Sequence, residues 1–382
     1  MKCLLAFDSF KESMSSEGVA SAFSKGFHKV LPKTEFITRV LSDGGEGFVE
    51  ALMYENGRIE TTQVTGPLGQ KVDANIGIDE KTGLAAIEMA QASGLELIKK
   101  EQRNPMKASS YGTGELIQYA YKKGCREFLI GIGGSATVDG GCGMAQALGV
   151  LFKDSNGNVI ENTIGGAEIE LIASIDAFPA LDLINACSFT IACDVDNPFV
   201  GERGAAKVFG PQKGATIEMV DTLERGLTHL ATVIECDLGV KVSDLAGAGA
   251  AGGIGGMFKA LCKAKLEKGI DIVTKKINLD YLISECDLIF TGEGRIDSQT
   301  LGGKTVSGVV DIAKKHKKPV VAIGGSVVEE DIPKLKEGGI ELCLSIVNRP
   351  MNLKEAIEKG PELMETCGLR TAQLLDLGQK VN

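Results

Sequence analysis

Apolar residues along this chain follow two rhythms. Short unbroken runs, CLLAF (3–7), CDLIF (286–290), PVVAIGG (319–325) and IELCLSIV (340–347), have the length of buried strands. Between such runs the apolar positions fall three or four apart. In SSEGVASAFSKGFHKV (15–30), Val19, Ala22, Phe23, Phe27 and Val30 share one helical face, behind Ser15 and Ser16 as candidate N-caps. The chain opens as strand CLLAF, that helix, strand FITRVL (36–41), helix GFVEALMYE (47–55) and strand IETTQV (59–64). This βαβαβ order predicts a parallel sheet with right-handed crossovers. The rhythm returns at the end, where three strands alternate with helices expected at 305–316, 331–337 and 353–377. Three opening and three closing strands would make one six-stranded doubly wound sheet.

The middle of the chain reads differently. VDANIGI (72–78) and GLAAIEMA (83–90), joined by DEKT, predict an antiparallel hairpin. VLFKDSNGNVIE (150–161) has Asn-Gly at its centre, a second hairpin signal. The expected organisation is α/β: a discontinuous parallel-sheet domain over 1–66 and 285–382, interrupted by a mixed α/β domain over 67–284. A cleft between the two would hold the active site.

The polar residues gather after the outer strands. In an open parallel sheet, ligands bind at the carboxyl ends of strands. CLLAF is followed by DSFKES, with Asp8, Ser9 and Lys11. FITRVL is followed by SDGGEG, with Asp43, Gly44 and Gly45. CDLIF is followed by TGEGRIDSQTLGGK, with Glu293, Gly294, Arg295 and Asp297, and PVVAI by GGS. The inserted segment adds GIGGSATVDGG, whose Gly133, Gly134, Ser135 and Ala136 N–H groups could cradle an anion at a helix N-terminus. It also adds Asp194 in ACDVDNP, Lys213 in FGPQKGAT, and the glycine run GAGAAGG, which suits either ligand approach or close packing.

Composition narrows the partners. A net charge of −10 disfavours nucleic acid and anionic membranes, which need a basic field. No apolar run reaches transmembrane length or resembles a signal peptide, and the ten cysteines show no zinc spacing, so a cytoplasmic protein with free thiols is expected. The three histidines lie in charged helical contexts and are expected on the surface, which removes a histidine base. Carboxylates, lysines, an arginine and glycine loops without histidine suit phosphoryl transfer, where positioning and charge do most of the work. The first βα turn lacks GxGxxG, against a nicotinamide oxidoreductase. A non-catalytic small-molecule sensor would not need so many acidic and basic groups.

DSFKES, SDGGEG, TGPLG, QASGL, EQRNP, SYGTGELI, GIGGSATVDGG, ACDVDNP, FGPQKGAT, GAGAAGG and TGEGRIDSQTLGGK, in this order, resemble the type 1 glycerate kinases across nearly the whole chain. The resemblance implies a Rossmann/flavodoxin-like domain interrupted by a second α/β domain. It implies ATP-dependent phosphorylation of D-glycerate with a divalent metal, Mg²⁺, giving 2-phosphoglycerate. The 3-phospho product and another small hydroxyacid acceptor stay open, as does assembly as a homodimer. Arg295, Lys213 and Lys11 are then candidates for holding the glycerate carboxylate or the phosphate. Asp43, Asp194, Glu293 and Asp297 are candidates for the base, with Asp194, Glu293 and Asp297 as metal ligands. Asp8, Ser9, Gly44, Gly45, Gly133, Gly134, Ser135 and Gly294 are expected to bind substrate or phosphate.

Overall fold

The computed structural model describes residues 1–302 and 305–381. Gly303 and Lys304, at the end of the TLGGK motif, lie outside the described residues. The chain divides into two units, Met1–Asp43 with Ile270–Asn382, and Gly44–Gly269. The first unit contains β1 (Lys2–Phe7), β2 (Glu35–Val40), β11 (Leu288–Ile296), β12 (Val320–Val327) and β13 (Leu342–Ser345). The second contains β3 (Arg58–Thr65), β4 (Lys71–Asp79), β5 (Leu84–Glu88), β6 (Glu127–Gly131), β7 (Leu151–Lys153), β8 (Ser174–Asp176), β9 (Ser188–Ala192) and β10 (Lys265–Glu267).

In the first unit the sheet is parallel throughout, in the order β13-β12-β11-β1-β2. The chain runs from β1 outward to β2, then returns to β11 on the other side of β1. The strand order therefore reverses between β1 and β11, the flavodoxin-like arrangement. Buried aromatic rings fill one face: Phe23 sits 4.7 Å from Phe290 and 6.0 Å from Phe7, ring centre to ring centre. Each fully buried ring is worth about 1.5–3 kcal/mol over its exposed state. Helix Ser16–Phe27 is capped by Ser15, whose hydroxyl accepts from the Gly18 N–H. It packs closely on helix Gly360–Val381. A Cβ on Gly26 would lie 1.8 Å from the Glu365 carbonyl oxygen, so only glycine permits this approach.

Among the described residues the sheet has five strands, not the six expected. The run at 59–64 forms β3, which pairs antiparallel with β4 over eight residues in the other unit. The turn between them explains this. Gly66 N–H donates to the Gln70 carbonyl at 2.6 Å, and Gly69 adopts φ +88°. Such a short turn makes the local hairpin the nearest pairing, whereas parallel pairing needs a long crossover. A second difference concerns TGEGRID, expected as loop. β11 continues through it to Ile296, with Glu293 opposite Gly324 and Arg295 opposite Ser326 on β12. The two strands support one another well past the apolar run.

The second unit has a mixed six-stranded sheet, β10-β9-β6-β5-β4-β3. β3, β4 and β5 are antiparallel, as the 72–90 hairpin predicts, and β5, β6, β9 and β10 are parallel. The carboxyl ends of β5, β6, β9 and β10 thus share one edge. The Asn-Gly turn forms, with Gly157 at φ +81° and a bridge from Lys153 to Val159, but the main partner of β7 is β8. The run GAGAAGG serves packing. A Cβ on Gly252, at φ +75°, would lie 1.9 Å from the Thr137 carbonyl oxygen, and Gly140 N–H donates to the Gly252 carbonyl at 3.0 Å. The ten cysteines are free thiols. Among the described residues, no helix is long and apolar enough to cross a membrane.

Candidate active site

The first unit gathers its polar residues at the carboxyl ends of β1, β2 and β11. Asp8 follows β1 and is tied to β11, its N–H donating to the Gly292 carbonyl at 2.9 Å. Its carboxylate accepts from Ser9 N–H at 2.7 Å and from the Thr305 hydroxyl at 2.7 Å. Burial pushes the Asp8 carboxyl above its ordinary range, the Thr305 hydrogen bond opposes this, and the neighbouring charge of Asp43 adds to the rise. Asp8, Ser9 and Asp43 are half-buried and Lys11 is exposed. Glu293 is half-buried and Gly294 exposed on the extension of β11.

Arg295 and Asp297 are partners of each other. Arg295 Nε donates to Asp297 Oδ2 at 3.0 Å, and the arginine side chain is 68% exposed. Asp297 also caps the short helix Ser298–Leu301. Its Oδ1 accepts from Gln299 N–H at 2.9 Å, and Thr300 Oγ1 accepts from Asp297 N–H at 3.0 Å. This carboxylate, expected on metal or hydroxyl, has a local structural duty.

In the second unit, the parallel edge brings together Gly44 and Gly45, the loop after β6 and the end of β9. A Cβ on Gly131 would lie 2.3 Å from the Gly44 carbonyl oxygen, and one on Gly133 would lie 3.2 Å from Gly45 Cα. Gly44, at φ +97°, faces Ala192. Asp194, two residues beyond β9, is exposed and accepts from Gly269 N–H at 3.0 Å.

Lys213, a candidate for holding the glycerate carboxylate or the phosphate, lies inside the second unit. It is 2% exposed. Its Nζ donates to Ser135 Oγ at 2.7 Å and to the Thr137 carbonyl at 2.8 Å. Burial lowers its pKa to about 7, with the charge of Asp139 opposing. Lys213 therefore pins the 133–137 loop from inside. The loop itself differs from a helix-terminal cradle. Gly133 and Gly134 are exposed, Ser135 is buried, and Ala136 N–H donates to the Ser93 carbonyl. The next helix begins only at Cys142.

Two buried carboxyl groups were missed from sequence. Asp139 is fully buried and accepts from Ser110 N–H, Ser110 Oγ, Gly141 N–H and Gly143 N–H at 2.6–3.2 Å. It occupies the helix start where an anion was expected. Burial raises its pKa, and those four hydrogen bonds oppose the rise. Glu88 ends β5, accepts from Val49 N–H at 3.0 Å, and is raised by burial to about 7. Asp139 sits inside a glycine motif, a usable signal; Glu88 has none, because EMA reads as strand end.

The profile of the glycerate kinase family matches residues 3–376. This chain belongs to the glycerate kinase family. Glycerate 2-kinase of Escherichia coli K12 is 44% identical over 381 residues, spanning 100% of this chain and 99% of that protein. Glycerate kinase of Halalkalibacterium halodurans is 45% identical, with 97% of each chain covered. A crystal structure from Salmonella typhimurium LT2, whose protein carries the provisional name glycerate kinase 2, matches with TM-score 0.88 and 45% identity over 100% of this chain and 99% of that one. Membership of the glycerate kinase family makes the chain a kinase. The histidines stay outside these clusters: His28 and His229 are exposed and His316 is half-buried, each at or near the end of a helix or on its surface.

Proposed function

We propose that this protein transfers the γ-phosphoryl group of ATP to the 2-hydroxyl of D-glycerate, giving 2-phosphoglycerate. The observation that carries the proposal is the full-length match to proteins named glycerate kinase at 44–45% identity. The 2-position follows the name of the Escherichia coli relative.

The residues suit the chemistry. Phosphoryl transfer asks for positioning and charge neutralisation more than for covalent catalysis. Asp8, raised by burial and by Asp43, is fitted to receive the hydroxyl proton, since a base works best with a pKa lifted toward the operating pH. Arg295, exposed on the β11 extension, and Lys11 are the cations that would hold the glycerate carboxylate or the phosphates. Exposed Gly133 and Gly134 offer backbone N–H groups to an anion, on a loop pinned by Lys213.

Mg²⁺ fits the acidic edge, because the charge of Asp43 adds to the cost of ionising Asp8, a cost that a divalent cation relieves. Asp43 and Glu293 are the candidates within the first unit to hold it. When bound it would neutralise charge on the phosphates. Among the described residues no group of three or more His, Cys, Asp or Glu side chains forms a preassembled cage. Mg²⁺ commonly uses one or two carboxylates with phosphate oxygens and water.

The test is ³¹P NMR of the product from purified protein, ATP, Mg²⁺ and D-glycerate. A 2-phosphoglycerate resonance is expected. A 3-phosphoglycerate resonance would overturn the regiochemistry, and intact ATP with no phosphoglycerate would overturn the acceptor.

A further inference from the structure

We propose that the pocket at the point where the parallel sheet reverses its strand order binds the adenosine end of ATP; this rests on the kinase activity proposed above and names the nucleotide subsite.

The pocket lies wholly in the first unit and holds about 400 Å³, within the range of small-molecule sites. Its walls come from the loop after β1, from the ends of β11 and β12, and from the segment after β13 leading into helix Leu353–Glu358. It therefore sits beyond the carboxyl ends of the strands beside the β1/β11 reversal, where open α/β sheets bind their ligands.

The lining chemistry selects the ligand. Phe10, Ile346, Val347, Met351, Ala356 and Ile357 supply an apolar surface. Among the described residues, the charged ones lining it are Lys11 and Glu12, both exposed. A small hydroxyacid, with oxygen on every carbon, would leave that apolar surface unused. A purine ring has two flat apolar faces and uses it. Gly294 adds access: a Cβ there would meet nothing within 4 Å, so the strand end faces open room. Gly325 lets β12 approach it, since a Cβ on Gly325 would lie 2.6 Å from the Gly294 carbonyl oxygen.

The walls are fixed before any ligand arrives. Phe10 and Met14 exchange two backbone hydrogen bonds at 2.9 Å, closing the loop tightly enough to hold Glu12 at φ +64°. Ser13 Oγ donates to the Ile357 carbonyl at 2.8 Å, tying this loop to the helix across the pocket. A preformed site loses less ordering entropy on binding. Lys11 belongs to the same loop as Asp8 and Ser9, so a nucleoside in the pocket directs its phosphates toward the acidic edge described above.

The experiment pairs calorimetric titration of ADP with steady-state kinetics in ATP and in D-glycerate. Ala356→Phe fills the pocket from one wall. It is expected to weaken ADP at least tenfold and to raise KM for ATP likewise, with KM for D-glycerate within twofold of wild type. Leu353→Ala removes an exposed lip residue, 76% accessible, and is expected to weaken ADP about threefold. Circular dichroism reports folding, and if Ala356→Phe does not fold, Leu353→Ala decides. Unchanged ADP affinity in the folded variants, or a rise confined to KM for D-glycerate, overturns the assignment. The two proposals fail separately. A wild-type protein that phosphorylates D-glycerate while both variants bind ADP normally sinks the pocket alone. A wild-type protein that makes no phosphoglycerate, yet binds ADP and loses it in Ala356→Phe, sinks the acceptor alone.

Discussion

Lys213 and Ser135, 78 residues apart in sequence, meet inside the second unit with Nζ 2.7 Å from Oγ. The same ammonium reaches the Thr137 carbonyl at 2.8 Å. One buried side chain thus holds two points of the glycine loop that carries Gly133 and Gly134. The loop keeps its shape through this pin rather than through a helix start.

Lys213→Met keeps the bulk and deletes the pin. Ser135 Oγ and the Thr137 carbonyl then lose a donor in a buried place, which costs about 1–3 kcal/mol. Loss of loop shape is expected to lower kcat/KM for ATP at least tenfold. Denaturant unfolding and steady-state kinetics measure the two effects. Wild-type kinetics in a folded variant would remove the loop from catalysis.

Lys213 and Glu88 are expected to tilt stability in opposite directions with pH. The folded-state pKa of Lys213 falls from 10.5 to about 7. Between those values the unfolded chain holds a proton that the folded protein lacks, so stability rises with pH across that window, and the burial penalty is complete below about 7. Glu88 is raised from 4.5 to about 7. There the folded protein holds the extra proton, so its contribution falls as pH rises from 4.5 to 7. Unfolding measured from pH 4.5 to 10 should show Lys213→Met flattening the upper window and Glu88→Gln the lower. The same slopes in variant and wild type would refute the assignment.

Arg295→Ala separates function from stability. The Arg295 side chain of the Arg295–Asp297 pair is largely exposed, and such surface pairs contribute about 0–1 kcal/mol. Stability should therefore hardly move. As the proposed anion clamp, Arg295 should cost at least tenfold in kcat/KM for D-glycerate when removed. A loss within about threefold, under ~1 kcal/mol of transition-state stabilisation, would end that role.

Much of this was legible along the chain. Apolar runs place β1, β2, β11, β12 and β13, Ser15 caps the helix it precedes, and Asp8, Asp43 and Glu293 lie half-buried just beyond the apolar runs they follow. The misplaced strand was IETTQV. Its composition suits either sheet, and only the tight turn at Gly66–Gln70 commits it to β4.

The order of apolar runs and helical faces determined an α/β chain, and the ordered glycine motifs determined its family, because both depend on residues near one another in sequence. Tertiary structure decided what each charged residue does. Lys213 reads as an anion-binding cation in a glycine turn, yet it is buried and held to Ser135 from 78 residues away, and Asp139 is buried with Ser110, 29 residues away, among its donors. Asp297, a candidate ligand by sequence, also caps a short helix and accepts from Gln299 and Arg295. The apolar pocket beside the β1/β11 reversal is the clearest case. Its walls come from residues 10–13, 294, 325–326 and 346–357, and no local pattern could announce a surface assembled from four separated stretches.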